Sequence, residues 1–335
     1  MMRALRKALV LTLVLTFLAG AIFAAGEARA LELAEDVEVQ DEYTFVMIPI
    51  LVQEWFDEVY EASQDAADMY AEMLDTEINI DYQAPEEADL STQNEYMQRA
   101  VAMNPDGIAI DLISPDASEP FIQEALDQDI PVTSYVSRTP EEIEDIDEDI
   151  TTVRADYAEQ GEMAARRLVE LLDGEGEVAI LHGVPENTAH LERFEAHHEV
   201  FDEYEDIEVV AEGFTYDDVE EAHEEASRIL SANPDLDGFV PCDAAGPIGI
   251  GNTVLEAGME DQVEVVGIDA LPRTIELVEM GVIDSSYVFP PTIVGHWVTQ
   301  SLLSRATGIE MPAEIDVGYR VMDQETVEDP DFEGY

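Results

Sequence analysis

Asp269 closes the apolar run Val265-Val266-Gly267-Ile268 and is followed by Ala270-Leu271-Pro272. This pattern predicts a short buried strand that ends in a carboxylate and turns into a helix over Arg273–Met280. A carboxylate at the carboxyl end of a parallel strand, beside a helix N-terminus, sits where open α/β sheets bind ligands. Asp269 is no filler residue, because an unpaired buried charge is too costly. Asp243 follows the run Gly238–Pro241. Two chemistries suit Asp269 at this point: acid catalysis and metal ligation.

Signals for other chemistry are sparse. The chain has no Gly-x-Ser-x-Gly elbow, no Gly-x4-Gly-Lys loop and no Gly-x-Gly-x-x-Gly after its first strand. Asp243 and Asp269 could form a glycosidase acid/base pair, but nothing in the sequence gives them a suitable separation. His190 and His197 lie two turns apart on one predicted helix, with Arg193 and Phe194 between them. A cation and an apolar ring on that face argue against a metal site. The run Glu141–Asp149, acidic except for Ile143 and Ile146, reads as a solvated loop or a cation site. No catalytic residue, metal or cofactor is expected.

The elements that must position Asp269 alternate in type. Strands are predicted over Tyr43–Pro49, Glu77–Tyr82, Gly107–Leu112 and Pro131–Val136. Helices fall between them over Glu54–Leu74, Ser91–Met103 and Ala117–Asp127. Thr151–Arg154 reads as a short strand at a crossover. A second series sets helices over Ala158–Leu172, Thr188–Asp202, Asp218–Ala232 and Pro247–Ala257 among strands over Val178–His182, Ile207–Glu212, Gly238–Pro241, Val263–Ile268 and Ser285–Val288. A long helix over Pro291–Ala306 follows, with a possible strand at Val317–Met322. Such alternation implies right-handed βαβ units and parallel sheets. The expected fold is α/β, with two similar three-layer lobes and no tight sequence repeat between them.

Composition sets further bounds. The 335 residues carry 78 Asp and Glu against 14 Lys and Arg, a formal net charge of −64. Beyond Ala30 no Lys occurs. Such a surface repels nucleic acid and anionic membranes. It is read as adaptation to high salt, since 46% hydrophobic content and strong periodicity exclude a disordered acidic chain. Residues 1–30 read as a signal peptide, with Arg3, Arg6 and Lys7 ahead of an apolar stretch and Ala28-Arg29-Ala30 as the cleavage pattern. Residues 31–42 read as a flexible acidic leader. Cys242 is the only cysteine, so no intrachain disulfide exists. A periplasmic, soluble product is expected, cleaved after Ala30.

Several stretches, in order and spacing, resemble the periplasmic sugar-binding proteins of ABC importers, in the ribose-, rhamnose- and autoinducer-2-binding group. They are Phe45-Val46-Met47-Ile48-Pro49 with Trp55-Phe56, Asn104–Ile110, Asp129-Ile130-Pro131-Val132, Ala232–Gly238 and Val265–Asp269. The resemblance covers about residues 43–322. It implies a type I periplasmic binding protein fold with the ligand in a cleft between two lobes. The first lobe would comprise 43–150 and 290–315, and the second 151–289 and 316–335. It implies a receptor, not an enzyme, that captures a small sugar or polyol and delivers it to an ABC permease with its ATPase. A monomer is expected. Two alternatives stand: a ligand-presenting subunit for a membrane sensor or chemoreceptor, and a glycosidase-like enzyme.

The resemblance also assigns site positions. Trp55 and Phe56 fall on the paired aromatics that flank the sugar ring, with Gln53 as a polar contact before them. Arg193 falls on an arginine that contacts sugar hydroxyls, or else pairs with Glu192 or Glu195. Asp243 and Asp269 fall on cleft polar positions. The Asp-Arg pair of ribose binders is not cleanly present; Ser137 or Arg138 stands nearest. A third stacking aromatic falls at Tyr216-Asp217, with Tyr216 preferred. Phe289 replaces a glutamine and cannot hydrogen-bond through its side chain. These departures point away from ribose towards a deoxysugar, a polyol or another small hydroxylated solute.

Overall fold

The structure, a computed structural model, describes residues 39–138 and 150–328. The expected signal peptide, most of the acidic leader and the run Glu141–Asp149 lie outside the described residues.

Two six-stranded sheets organise the chain. The first holds β1 (Glu42–Ile48), β2 (Glu77–Tyr82), β3 (Gly107–Ile110), β4 (Val132–Tyr135), β5 (Ile150–Arg154) and β11 (Glu314–Asp316), in the order β11-β5-β4-β3-β1-β2. Every pairing in it is parallel. The second holds β6 (Gly176–His182), β7 (Ile207–Phe214), β8 (Gly238–Pro241), β9 (Glu264–Ile268), β10 (Ser285–Val288) and β12 (Arg320–Asp323), in the order β12-β10-β9-β8-β6-β7. Its one antiparallel pairing joins β10 to β12 at the edge. β3, β4, β5, β8 and β10 are buried along their whole length, as strands covered by helices on both faces must be.

The helices are α1 (Glu54–Leu74), α2 (Leu90–Met103), α3 (Pro115–Leu126), α4 (Tyr157–Leu171), α5 (Thr188–Phe201), α6 (Val219–Ala232), α7 (Gly246–Ala257), α8 (Pro272–Glu279), α9 (Pro291–Ala306) and α10 (Gln324–Val327). α1 buries Trp55, Phe56, Val59, Ser63, Ala66, Ala67, Tyr70 and Leu74, a helical repeat facing one core. Its first turn carries Glu54 and Asp57, which suit the positive end of the helix dipole. α9 lies against α1 so closely that a Cβ on Gly295 would stand 2.3 Å from the Val59 carbonyl oxygen. The last long helix thus packs within the first lobe.

Two expectations shift. The strand at 150–154 pairs with β4, so it belongs to the first sheet and the chain crosses just after it, at Ala155-Asp156. The tail strand falls at Arg320–Asp323 instead of Val317–Met322, after the short unpredicted strand β11 in the first sheet. The chain therefore passes between sheets at 155–156, 289–290 and 317–319. The first lobe's core continues across the divide to Val184, Ala189, Ala244, Ile248 and Leu271 of the second, so the lobes stand in contact.

Candidate functional site

The carboxyl ends of the parallel strands in both sheets converge, and buried polar side chains gather there. Asp269 follows β9 at 6% exposure with φ +60. Val136, Tyr216 and Asp217, also just past strand ends, share positive φ values of 66, 53 and 60. Such backbone is unfavourable for non-glycine residues, and most of all for β-branched Val136. It is tolerated where sharp turns must hold groups in a cleft.

In the second lobe, Asp269 Oδ1 accepts the Phe289 backbone N–H at 3.0 Å. Burial pushes its pKa up to about 6, while Arg193 and that N–H oppose the shift. Asp243, fully buried, accepts Gly246 N–H at 2.7 Å at the start of α7 and also takes a short hydrogen bond from the Thr215 hydroxyl. Burial raises it to about 6 as well. Asp217 accepts Ala245 N–H at 3.3 Å, and burial together with the charge of Asp243 holds its pKa well above the usual carboxylate range. The positive end of α7 and the turn before it make both burials tolerable.

Arg193 on α5 is 3% exposed and donates to Gln160 Oε1 at 2.7 Å and to the Cys242 carbonyl at 2.9 Å. Its guanidinium lies 4.5 Å from the Tyr157 ring centroid. It lowers the pKa of Asp111, Asp243 and Asp269, so its charge reaches all three carboxylates. Among the described residues it forms no ion pair with Glu192 or Glu195; Glu192 instead engages Arg138 and Arg154. Close packing of α4 on α5 fixes Arg193, since a Cβ on Gly161 would lie 2.8 Å from the Arg193 Cα.

In the first lobe, Trp55 and Phe56 are both buried, with ring centroids 5.1 Å apart and edge-on. Trp55 stacks on Phe289 at 5.6 Å and 18°, and its Nε1 donates to the Phe289 carbonyl at 3.2 Å. Phe289, placed between β10 and α9, also meets the edge of Tyr157 at 5.3 Å. The ring that cannot hydrogen-bond is therefore a pillar of the aromatic wall at a crossing. Gln53, the N-cap of α1, reaches across to the Asp217 carbonyl at 3.4 Å, and its Oε1 is buried without a partner.

Three assigned positions behave differently from expectation. Ser137 Oγ donates to Asp111 Oδ1 at 2.5 Å and accepts Leu112 N–H at 2.6 Å, so its hydroxyl is used within the lobe. Arg138, with a side chain 52% exposed, pairs with Glu192 at 2.7 Å, outside the buried cluster. Tyr216 is 51% exposed and stacks on Phe214, whereas its neighbour Asp217 turns inward. The turn's positive φ at both residues reverses the direction expected from the sequence.

Sequence reasoning missed Asp111, Asn187 and Glu192. Asp111 ends the run Gly107–Ile110 as Asp269 ends its own, so the same signal was present. It is fully buried, and burial raises its pKa to about 7. Asn187 caps α5 through its Oδ1, and its Nδ2 donates across the divide to Asp111 Oδ1 at 3.4 Å and the Leu112 carbonyl at 3.2 Å. The histidines are buried or partnered individually: His190 Nδ1 accepts Val184 N–H at 2.9 Å, and His197 Nδ1 lies 3.6 Å from Cys242 Sγ. Among the described residues no group of three His, Cys, Asp or Glu is arranged to hold a metal.

Residues 44–310 match the periplasmic binding protein domain family. A xylose/arabinose-binding protein of Sulfolobus acidocaldarius is 26% identical over 263 residues, 75% of this chain and 64% of that protein. This chain thus spans less than two thirds of that relative's length. A putative rhizopine-binding protein of Rhizobium meliloti is 27% identical over 221 residues, 65% of this chain and 70% of that one. A solute-binding protein of an ABC transporter from Burkholderia graminis, solved with D-arabinose, superposes with a TM-score of 0.79 at 23% identity, covering 87% of this chain and 99% of that one.

Proposed function

From the chain's membership of the periplasmic binding protein domain family, which the match over residues 44–310 establishes, we propose an extracytoplasmic receptor for a small sugar or polyol. It closes its lobes on the solute and passes it to an ABC import permease with its ATPase. The observation that carries this reading is the composition of the cleft. Asp111 and Gln53 from one lobe face Asp217, Asp243, Asp269 and Arg193 from the other, with Trp55, Phe56 and Phe289 as an apolar wall.

Carboxylates and a guanidinium satisfy hydroxyl donors and acceptors, each charge-assisted bond contributing about 1.5–3 kcal/mol. Aromatic rings cover the C–H face of a sugar. The relative named for xylose and arabinose points to the same ligand class. Residues 1–30 would direct export and be removed after Ala30. The chain performs no chemistry on its ligand and works as a monomer.

A thermal-shift screen of pentoses, hexoses, deoxysugars and cyclitols in molar salt tests this reading. A solute at about 100 times its dissociation constant adds about 2.7 kcal/mol of stability. Stabilisation by amino acids or metal ions, with none by any hydroxylated solute, would overturn it.

A further inference from the structure

Arg193 is a buried cation, and among the described residues no carboxylate forms an ion pair with it. Both of its acceptors there are neutral. Gln160 Oε1 takes Nε–H at 2.7 Å, and the Cys242 carbonyl takes Nη1–H at 2.9 Å. In a chain with 78 Asp and Glu, the side chain that meets this guanidinium from α4 is an amide. Gln160 is itself 0% exposed, and its neighbour Gly161 lets α4 approach α5 closely enough for it to reach. With Nε and Nη1 held, the plane of the fork is set. Nη2 is the guanidinium nitrogen with no partner among the described residues.

The other end of Gln160 fixes its orientation. Its Nε2 donates to the Tyr287 carbonyl at 2.7 Å. The same carbonyl accepts the Asp269 backbone N–H at 3.0 Å. A carbonyl oxygen has two lone pairs and can take both. A guanidinium only donates and a carbonyl only accepts, so one orientation of the amide satisfies both ends. A continuous chain of hydrogen bonds therefore runs from Arg193 through Gln160 and the Tyr287 carbonyl to the backbone of Asp269. Arg193 rides on α5 and Asp269 follows β9, so this chain spans two separate elements that bear opposite charges.

We propose that Gln160 is a positioning residue, which sets the Arg193 guanidinium in place relative to Asp269 and leaves its charge uncancelled for the solute. Gln160 acts through Arg193, without touching the solute itself. Two substitutions of similar length show what the amide supplies. In Gln160→Met both bonds go, and the guanidinium is held by the Cys242 carbonyl alone. In Gln160→Glu an acceptor for Arg193 stays. Its charge, however, cancels that of the guanidinium, and a carboxylate oxygen confronts the Tyr287 carbonyl with no proton between them. Only a neutral group that accepts on one side and donates on the other serves both ends.

This role rests on the receptor reading above, and the test separates the two. Wild type is titrated in molar salt with D-xylose, D-arabinose and myo-inositol. The tightest of these is then titrated on Gln160→Met, Gln160→Glu, Arg193→Met and the double variant Gln160→Met, Arg193→Met. Each single variant should bind at least about 10-fold more weakly, as for a lost bond to a charged group. The double variant should stay within about threefold of Arg193→Met, because Gln160 then has nothing left to position. A merely structural glutamine would instead multiply the two losses, since independent sites add in free energy. Multiplied losses, or wild-type affinity in either Gln160 variant, would overturn the role and leave the receptor intact. NMR of the arginine Nε–H groups keeps the role testable if Arg193→Met fails to fold. The Arg193 Nε–H should exchange at least about 10-fold faster in Gln160→Met than in wild type, with the backbone amides of α4 unchanged. Equal protection of that Nε–H in both chains would also overturn the role. If no hydroxylated solute binds wild type, the receptor reading falls and the role of Gln160 falls with it.

Discussion

Asp269 and Trp55 lie on opposite lobes and are joined through the backbone of a single residue. Asp269 Oδ1 accepts Phe289 N–H at 3.0 Å, and Trp55 Nε1 donates to the Phe289 carbonyl at 3.2 Å. Phe289 sits in a crossing segment, so the carboxylate and the aromatic pair are both referenced to the same residue, through the two peptide groups that flank it. Movement at this residue would alter both walls together, as the proposed cleft closure requires.

Asp269→Ala removes the proposed ligand acceptor and leaves Phe289 N–H buried without a partner. Affinity is expected to fall by at least about 10-fold. The ligand-free protein should lose about 1–3 kcal/mol through the orphaned N–H. Asp269→Asn keeps an acceptor for that N–H and should recover most of the stability but not the affinity. Calorimetric titration beside denaturant melts reads the two effects separately. Equal losses of stability in both variants would show that the Phe289 contact is not what the carboxylate supports.

Phe289→Gln tests why a ring replaces an amide at the hinge. The substitution removes the stack on Trp55 and the edge contact with Tyr157. Aromatic pairs contribute about 0.5–1.5 kcal/mol beyond area burial. The variant should melt earlier and should gain relative affinity for solutes with one more hydroxyl. A ranked sugar panel on both proteins checks this; an unchanged ranking would separate Phe289 from selectivity.

Much of this arrangement was legible in the sequence. The helices over Glu54–Leu74 and Pro291–Ala306 and the strands over Glu77–Tyr82, Gly238–Pro241 and Ser285–Val288 have the predicted bounds, because apolar periodicity and strand-end breakers mark them. Asp269 was legible because a charge set directly after four apolar residues must meet a partner or a ligand. Asp111 carried the same mark. The direction of Tyr216 and Asp217 was not legible, because two successive positive φ values, set by the Thr215 and Ala245 contacts, decide which side chain turns inward. The fate of Arg138 was hidden for a similar reason. Its partner Glu192 lies 54 residues away on the other lobe.

Glu192 on α5 ties Arg138 and Arg154 of the first lobe to the second. The Arg138 contact is half in solvent and should contribute little. Arg154 is different: its side chain is only 5% exposed. Arg154 keeps a second, longer ion pair with Glu314 at 3.7 Å inside the first lobe, so losing Glu192 should cost less than the about 3–5 kcal/mol of a fully unpaired buried charge. Glu192→Gln should therefore favour the open arrangement and weaken ligand affinity, whereas Arg138→Gln should change affinity less than about threefold. Small-angle scattering of the ligand-free variants reads the opening directly. A Glu192→Gln chain as compact as wild type, with unchanged affinity, would dismiss the tie.

The buried carboxylates predict a pH dependence of definite sign. Asp111, Asp243 and Asp269 have pKa values raised by burial to about 7, 6 and 6, above the ordinary value near 4. The folded state thus holds protons that the unfolded state has released, and its stability falls as pH rises through these values. His182 and His197, depressed by burial to about 4 and about 3, act in the opposite sense, but only below the ordinary histidine value near 6.5. Above pH about 6.5 the histidines no longer oppose them and Asp111 is the main group of the three still titrating, so the ligand-free melting temperature should decline from there to about pH 7 and then level off. Hydroxyl donors favour the ionised carboxylates, so binding should release protons and tighten over the same range. Titrations in two buffers of different ionisation enthalpy count those protons, and uptake instead of release would reverse the assignment.

Low salt should unfold this chain, and α1 shows where the strain lies. The helix contains no Lys or Arg, and its exposed face carries Glu61, Asp65, Asp68 and Glu72 at successive spacings of four, three and four residues. Like charges at such spacings destabilise a helix by about 0.2–0.5 kcal/mol per pair. Across a net charge of −64 the repulsion adds up over the whole surface. Raising salt from 0.1 M to 1 M shortens the screening length from about 10 Å to about 3 Å. The melting temperature should climb steeply over that interval. The double variant Asp65→Lys, Asp68→Lys converts repulsive pairs with Glu61 and Glu72 into attractive ones, so it should raise the low-salt melting temperature and flatten the salt dependence. A variant that melts like wild type at 0.1 M salt would place the salt requirement elsewhere than in charge repulsion along this helix.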